Sequence, residues 1–384
     1  MFITNKIGPR ANGFRGHTAS DITISELFGR DNILFSSGRD AIYYALKLIL
    51  EKKGSIRILL PSYLCSSIFE SILPLKKVSI YFYKLNKNLQ IDTTDLLKKI
   101  KRHQIDVLYI IHYFGFIDLQ FKEILKFCKI HQIIVIEDCA VSLFTKLDGE
   151  YLGSFGDFGI FSLGKYFSLP DGGALKINSG FTKSTKIKVG RLNRSSFFRG
   201  LIKQFLLYLI EKFNFPYAFY GNNQLYFKLK FLIQKIKSLS ARKSNNLFSY
   251  QPFYISKFSK YILSKADIGQ LIKIRRANFE VFLSIFKNFS NISFLYDYLP
   301  EQTCPFLFPF LVKNRDEIRG KFLDLRIEPA ILWRSDKLWE KFIDKEEFSN
   351  SYWVSKQILC LPIHQNIRER ELNYIIKVVT EILK

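Results

Sequence analysis

Strand-like and helix-like runs alternate through the first half of this chain, and that order admits few architectures. "DNILFSSG" (31–38) is a short apolar strand ending at Gly38; "RDAIYYALKLILEKK" (39–53) follows with helical spacing of Ala41, Tyr44, Ala45 and Leu48. "IRILLPSY" is strand-like and stops at Pro61, "VSIYFYKL" is another strand, and "TTDLLKKIKRH" has a threonine cap signal and a helical period. "DVLYIIHYFG" (a strand), "DLQFKEILKFCKIH" (a helix) and "QIIVIEDCA" continue the order, the last apolar run ending at Glu137–Asp138. Strands alternating with helices predict a mainly parallel sheet covered on both faces. Ligands bind such sheets beyond the carboxyl ends of the strands. The notable polar residues sit at those ends: Ser36, Ser37, Gly38, Tyr63, His112 and Asp138.

The 384 residues suffice for two lobes and a sizeable core. No apolar run reaches the length of about 18 residues that a spanning helix needs, and "MFITNKIGPRANGF" lacks the apolar core of a secretory signal. The five cysteines, Cys65, Cys128, Cys139, Cys304 and Cys360, show neither CxxC pairing nor zinc spacing. They read as reduced thiols in a cytoplasm, with no metal site. The net charge of +24 is unevenly placed: residues 181–260 hold sixteen Lys/Arg and one acid, Glu211. Two runs there, "FFRGLIKQFLLYLIEKF" and "QLYFKLKFLIQKIKSL", read as helices with lysines among Phe, Leu and Ile. That composition suits an interfacial helix, so residues 196–237 are expected to touch an anionic membrane peripherally. The competing reading packs the apolar residues on the large lobe and leaves the lysines solvated. No nucleic-acid-binding module is recognisable. After the basic segment, a long helix ("SKADIGQLIKIRRANFEVFLSIF"), the strand "PFLFPFLV", an Asn-capped helix ("NRDEIRGKFLDLR"), "IEPAILW", "KQILCLPIH" and a terminal helix form a smaller α+β lobe. The expected division is 1–262, including the insertion at about 181–260, and 263–384.

The stretch "FSLGKYFSLPDGG" (161–173) carries a lone lysine, Lys165, seven residues before Gly172. A desolvated lysine can attack a carbonyl as a neutral amine. Asp138 could hold a protonated ring nitrogen. The strand–"SSGRD"–helix junction offers backbone N–H groups and a helix dipole to a phosphate, with Arg39 and Ser162 as further donors. Lysine, aspartate and phosphate cradle are the parts that pyridoxal phosphate requires. Each alone has a plainer reading: a helix start, a solvated turn, an exposed strand lysine, a glycine turn and a structural histidine at position 112.

These residues lie within motifs that resemble the DegT/DnrJ/StrS-type aminotransferases, which share the aspartate-aminotransferase fold and act mainly on nucleotide-linked keto sugars. The resemblance runs from about residue 30 to the end, except 181–260, and is strongest in "VIEDCAVSLFTKLDGEYLGSFGDFGIFSLGKYFSLPDGGALKIN". "SGRDAI", "LPSYLCSS", "IIHYFG" and "CLPIHQNIRERELNYIIK" resemble further family motifs in the family's order. The resemblance implies a three-layer pyridoxal-phosphate transferase fold and a homodimer with each site completed across the interface. It implies amino transfer from an amino acid, glutamate being the expected donor, to a nucleotide-linked keto sugar in polysaccharide or related glycan biosynthesis. Lys165 would form the Schiff base and shuttle a proton, and Asp138 would hold the pyridine nitrogen. Ser37, Gly38, Arg39 and Ser162 would lie near the phosphate, Tyr63 or Cys65 against the ring, and His112 at the strand end beside them. The chain departs from the family in three places. The lysine follows Ser162 by three residues rather than five, Val141 stands where Gln or His is usual, and Cys65 takes the usual ring-stacking position. Two alternatives stay open: the same fold and cofactor acting on a non-sugar or in another reaction, and a non-enzymatic membrane- or polyanion-binding protein.

Overall fold

The computed structural model describes residue 3 and residues 32–178, 180–213, 250–333 and 337–384. Its centre is a seven-stranded sheet in the order β1-β9-β8-β5-β4-β2-β3. The strands are β1 (Asn32–Phe35), β2 (Ile56–Pro61), β3 (Val78–Tyr83), β4 (Val107–Ile111), β5 (Ile134–Asp138), β8 (Phe158–Phe161) and β9 (Gly173–Ile177). Only β9 pairs antiparallel with its two neighbours; the other ladders are parallel. β4 and β5 are buried at every position, as a sheet covered on both faces demands. A two-stranded ribbon, β6 (Lys146–Leu147) and β7 (Glu150–Tyr151), lies between β5 and β8 in the chain.

The connecting helices are α1 (Gly38–Lys53), α2 (Ser66–Ile72), α3 (Thr93–His103) and α4 (Phe121–Ile130). α1 starts because the extended Ser37 caps it, its Oγ accepting from the Asp40 amide, and it stops at Gly54, whose φ is +75°. α3 corrects the expected cap: Asp92, not a threonine, accepts from the Asp95 amide. The ionised Asp92 is the stronger acceptor, and it leaves both threonines inside the helix.

Within the basic segment lies α5 (Arg194–Phe213), and α6 (Lys257–Leu263) ends it; the long α7 (Ile268–Phe286), capped by Asp267, follows. The second basic run, 224–239, lies outside the described residues. The smaller sheet is antiparallel, β10 (Ile292–Phe294), β11 (Phe308–Val312) and β12 (Ile358–Leu361), with α8 (Arg315–Asp324), α10 (Ser349–Gln357) and α11 (Glu369–Leu383) around it, while α9 (Lys337–Phe342) packs on α2, Phe342 stacking on Phe69. Asn314 stands at the start of α8 with φ +54° and makes no side-chain cap bond, so the helix opens without the expected Asn cap. "IEPAILW" contributes bridges from Ile327 to Ile3 and from Ala330 to Cys360 rather than a strand. Among the described residues, no helix is long and apolar enough to cross a membrane.

Candidate active site

Register decides which polar residues share a face. Ile111 pairs with Asp138 and Ile110 with Glu137, and alternate residues of a strand leave on opposite faces. Asp138 is buried at the end of β5: its Oδ2 accepts from the Tyr109 hydroxyl at 2.8 Å and its Oδ1 from the Ala140 amide at 2.9 Å. Burial, then the Asp138 charge, push the Tyr109 phenol well above its usual range, which keeps it a donor. The His112 imidazole instead meets Glu137, Nε2 to Oε2 at 3.1 Å, with the Phe121 ring edge-on at 4.8 Å. Three backbone amides, of Gly153, Phe155 and Gly156, also donate to Glu137. His112 and Glu137 thus form a buried structural pair on the side away from the Asp138 carboxylate. Cys139 brings a third donor atom within 4.8 Å of theirs, but the Glu137 carboxylate is fully engaged.

Lys165 ends a short 3-10 turn, Leu163–Lys165, that follows β8, the strand next to β5. The Gly172–Gly173 pair brings this turn against the start of α1. Gly172 donates to the Ser36 carbonyl at 2.7 Å and accepts from the Leu163 amide at 3.1 Å. A Cβ on Gly173 would stand 2.2 Å from the Ser37 carbonyl carbon, and one on Gly38 would stand 3.6 Å from the Ser162 Cβ. Ser37, Gly38, Ser162 and the lysine turn therefore meet at one edge of the sheet. Asp171, buried, accepts from the Ser256 amide and hydroxyl at 2.8 and 2.7 Å and from the Ser259 hydroxyl, tying α6 to the same loop.

The other predicted residues are placed less simply. The Arg39 guanidinium pairs with Glu70 on α2. Ser36, Ser37 and Tyr250 donate to the buried Asp40 carboxylate at 2.5, 3.0 and 2.6 Å. Tyr63 is fully buried, its hydroxyl donating to the Leu332 carbonyl at 2.7 Å. Cys65 is half-buried at the start of α2, with Ser67 Oγ at 3.0 Å from its sulfur.

Three residues escaped the sequence reading. Tyr109 is the hydroxyl donor to Asp138; strand parity would have found it once the β4–β5 register was known. Trp333, with φ +48°, lies edge-on to the Tyr63 and Tyr113 rings at 5.4 and 5.5 Å and has Lys165 Nζ at 6.0 Å from its ring centroid. Gln204 on α5 accepts from Ser168 Oγ and donates to the Leu169 carbonyl at 3.1 Å, three and four residues after Lys165. No sequence signal joined either of these last two to the lysine.

The residues present suit a phosphorylated pyridine aldehyde: a strand-end carboxylate for a ring nitrogen, an amine one strand away, and a helix N-terminus with hydroxyls for an anion. The sheet and the helices around it share the fold of the solved structures reported below. Residues 24–192 match the model of the DegT/DnrJ/EryC1/StrS aminotransferase family, which bears out the resemblance. The GDP-perosamine synthase of Vibrio cholerae is 25% identical over 146 residues, 38% of this chain and 39% of that protein. The chain thus spans about two fifths of the length of this relative. Among solved structures, S. venezuelae DesV in complex with a ketimine intermediate aligns with a TM-score of 0.66 at 16% identity, covering 99% of this chain and 90% of that one. Helicobacter pylori PseC, an aminotransferase of pseudoaminic acid biosynthesis, gives 0.64 at 14%, covering 94% and 88%.

Proposed function

We propose that this chain is a pyridoxal-phosphate-dependent aminotransferase that moves an amino group from an amino acid, glutamate in our reading, to a keto group on a nucleotide-linked sugar of glycan biosynthesis. The observation that carries this is the meeting of the Lys165 turn with the α1 start through Gly172–Gly173, with Asp138 at the end of β5, the strand beside β8. The names of the Vibrio cholerae and Helicobacter pylori relatives support the sugar acceptor.

Pyridoxal phosphate, when bound, supplies an electron-accepting ring. Asp138 holds the ring nitrogen protonated; its second oxygen is fixed by Tyr109, so the carboxylate keeps its aim. Ser37, Ser162 and the first amides of α1 bind the phosphate. Lys165 Nζ would hold the cofactor and would carry the proton at the donor's Cα. Tyr63 or Cys65 would pack against the ring. Arg39 and His112 act at one remove, through Glu70 and Glu137. We further propose a homodimer with sites completed across its interface, a large lobe to about 262 and a small lobe beyond it, and a cytoplasmic enzyme whose basic segment touches the membrane.

Lys165→Ala tests the reading. The variant should fold, lose the visible absorbance of a lysine-bound cofactor and lose turnover. Wild-type transamination by Lys165→Ala would remove Lys165 from this role.

A further inference from the structure

α5 presents two stripes to different surroundings. Gly200, Gln204 and Leu207 form the inner stripe. Gln204 grips Ser168 and Leu169, Leu207 is buried, and a Cβ on Gly200 would stand 2.1 Å from the Pro170 carbonyl oxygen. Phe198, Ile202 and Phe205 repeat the same spacing two residues earlier, about 200° around the helix. They are exposed at 59%, 48% and 60%. The patch continues onto α6, where Phe258 and Tyr261 are exposed at 48% and 61%; the Phe197 ring bridges the helices, 5.8 Å from Phe198 and 6.3 Å from Phe258. A contiguous set of large apolar side chains on a surface marks a contact site.

The charge around the patch selects the partner. Arg191, Arg194, Lys257, Lys260 and Lys265 are exposed on these helices and their flanks, and between positions 180 and 266 the sole acid is Glu211. A two-fold contact between copies would lay this basic patch on itself. Aromatic side chains rimmed by lysine and arginine match an anionic bilayer instead: rings at the acyl boundary, cations at the headgroups. We propose that the outer stripe of α5, with Phe258 and Tyr261 of α6, docks on anionic phospholipid. This narrows the peripheral contact proposed above to named residues, and it stands whether or not the enzymatic reading holds.

The test is flotation of the full chain with phosphatidylcholine vesicles and with mixed phosphatidylcholine–phosphatidylglycerol vesicles, at low and high salt. Binding is expected only to the mixed vesicles and is weakened by salt. Phe198→Ser with Phe205→Ser should abolish it, and Arg194→Gln with Lys257→Gln should weaken it about thirtyfold, at about fivefold per cation. Both double variants should keep wild-type turnover in solution, because the inner stripe anchors α5. No flotation with mixed vesicles at low salt overturns the proposal, as does equal binding to phosphatidylcholine alone. Variants that float like wild type but lose an oligomer in sedimentation also overturn it, and assign the patch to contacts between copies. Loss of turnover in wild type with flotation intact would count against the enzymatic reading alone.

Discussion

Substituting alanine at each glycine of the 172–173 pair separates backbone contact from side-chain contact. In Gly173→Ala the new Cβ would lie 2.2 Å from the Ser37 carbonyl carbon, 2.4 Å from its oxygen and 2.5 Å from the Gly38 nitrogen. Ordinary contact begins at 3.4 Å, and these neighbours are backbone at the start of α1. Relief needs a shift of roughly 1 Å between α1 and the lysine loop, and misplacement on that scale costs about 10²-fold in rate. Overpacking of this kind also destabilises by about 1–3 kcal/mol. In Gly172→Ala the nearest atoms are the Leu163 Cβ and Leu169 Cδ1 at 3.1 Å, side-chain atoms that can give by a few tenths of an ångström. Its expected loss is under about 1.5 kcal/mol. The assays are cofactor titration by visible absorbance, single-turnover kinetics and urea unfolding. Gly173→Ala should lose cofactor affinity, rate and stability together, and Gly172→Ala should lose little. Equal losses in the two variants, or wild-type cofactor binding by Gly173→Ala, would refute the close approach as the reason for the glycine.

Asp138→Asn should keep its Ala140 contact yet slow turnover by at least about 30–160-fold, the value of one charge-assisted hydrogen bond of about 2–3 kcal/mol; wild-type kcat would make Asp138 structural. Gln204→Ala leaves the Ser168 hydroxyl and the Leu169 carbonyl without this buried partner. It should cost about 2–4 kcal/mol in urea unfolding, speed amide exchange in 163–172 and alter the pH profile of the visible absorbance. Unchanged exchange and an unchanged profile would confine Gln204 to stability. Native protein should react rapidly with a thiol reagent at Cys65 alone, because the other four cysteines are buried. Burial pushes the Cys128 and Cys304 thiols up to about 12, so they stay protonated at neutral pH. Mass mapping that finds a second fast-reacting cysteine would contradict this burial.

The basic segment shows where a periodic pattern stops short. Both readings of α5 were available, a membrane face or a packed face. The helix packs one stripe, Gly200, Gln204 and Leu207, on the 168–170 loop and leaves the other, Phe198, Ile202 and Phe205, exposed, and that packing identifies the inner one.

Local chemistry settled what could be read locally. Apolar runs of strand length between amphipathic helices require a covered parallel sheet, and the polar residues that end those runs mark its ligand edge. The positions of Lys165, Asp138 and the α1 start follow from this, since each needs only its own strand end. Partnership does not. Tyr109 meets Asp138 while His112 meets Glu137 because Ile111, not Ile110, pairs with Asp138; shifting the register by one residue would exchange them. Trp333 and Gln204 reach the lysine loop from 168 and 39 positions away along the chain. Such contacts depend on how elements distant along the chain pack, and that packing is fixed by surfaces that exist only once the chain has folded.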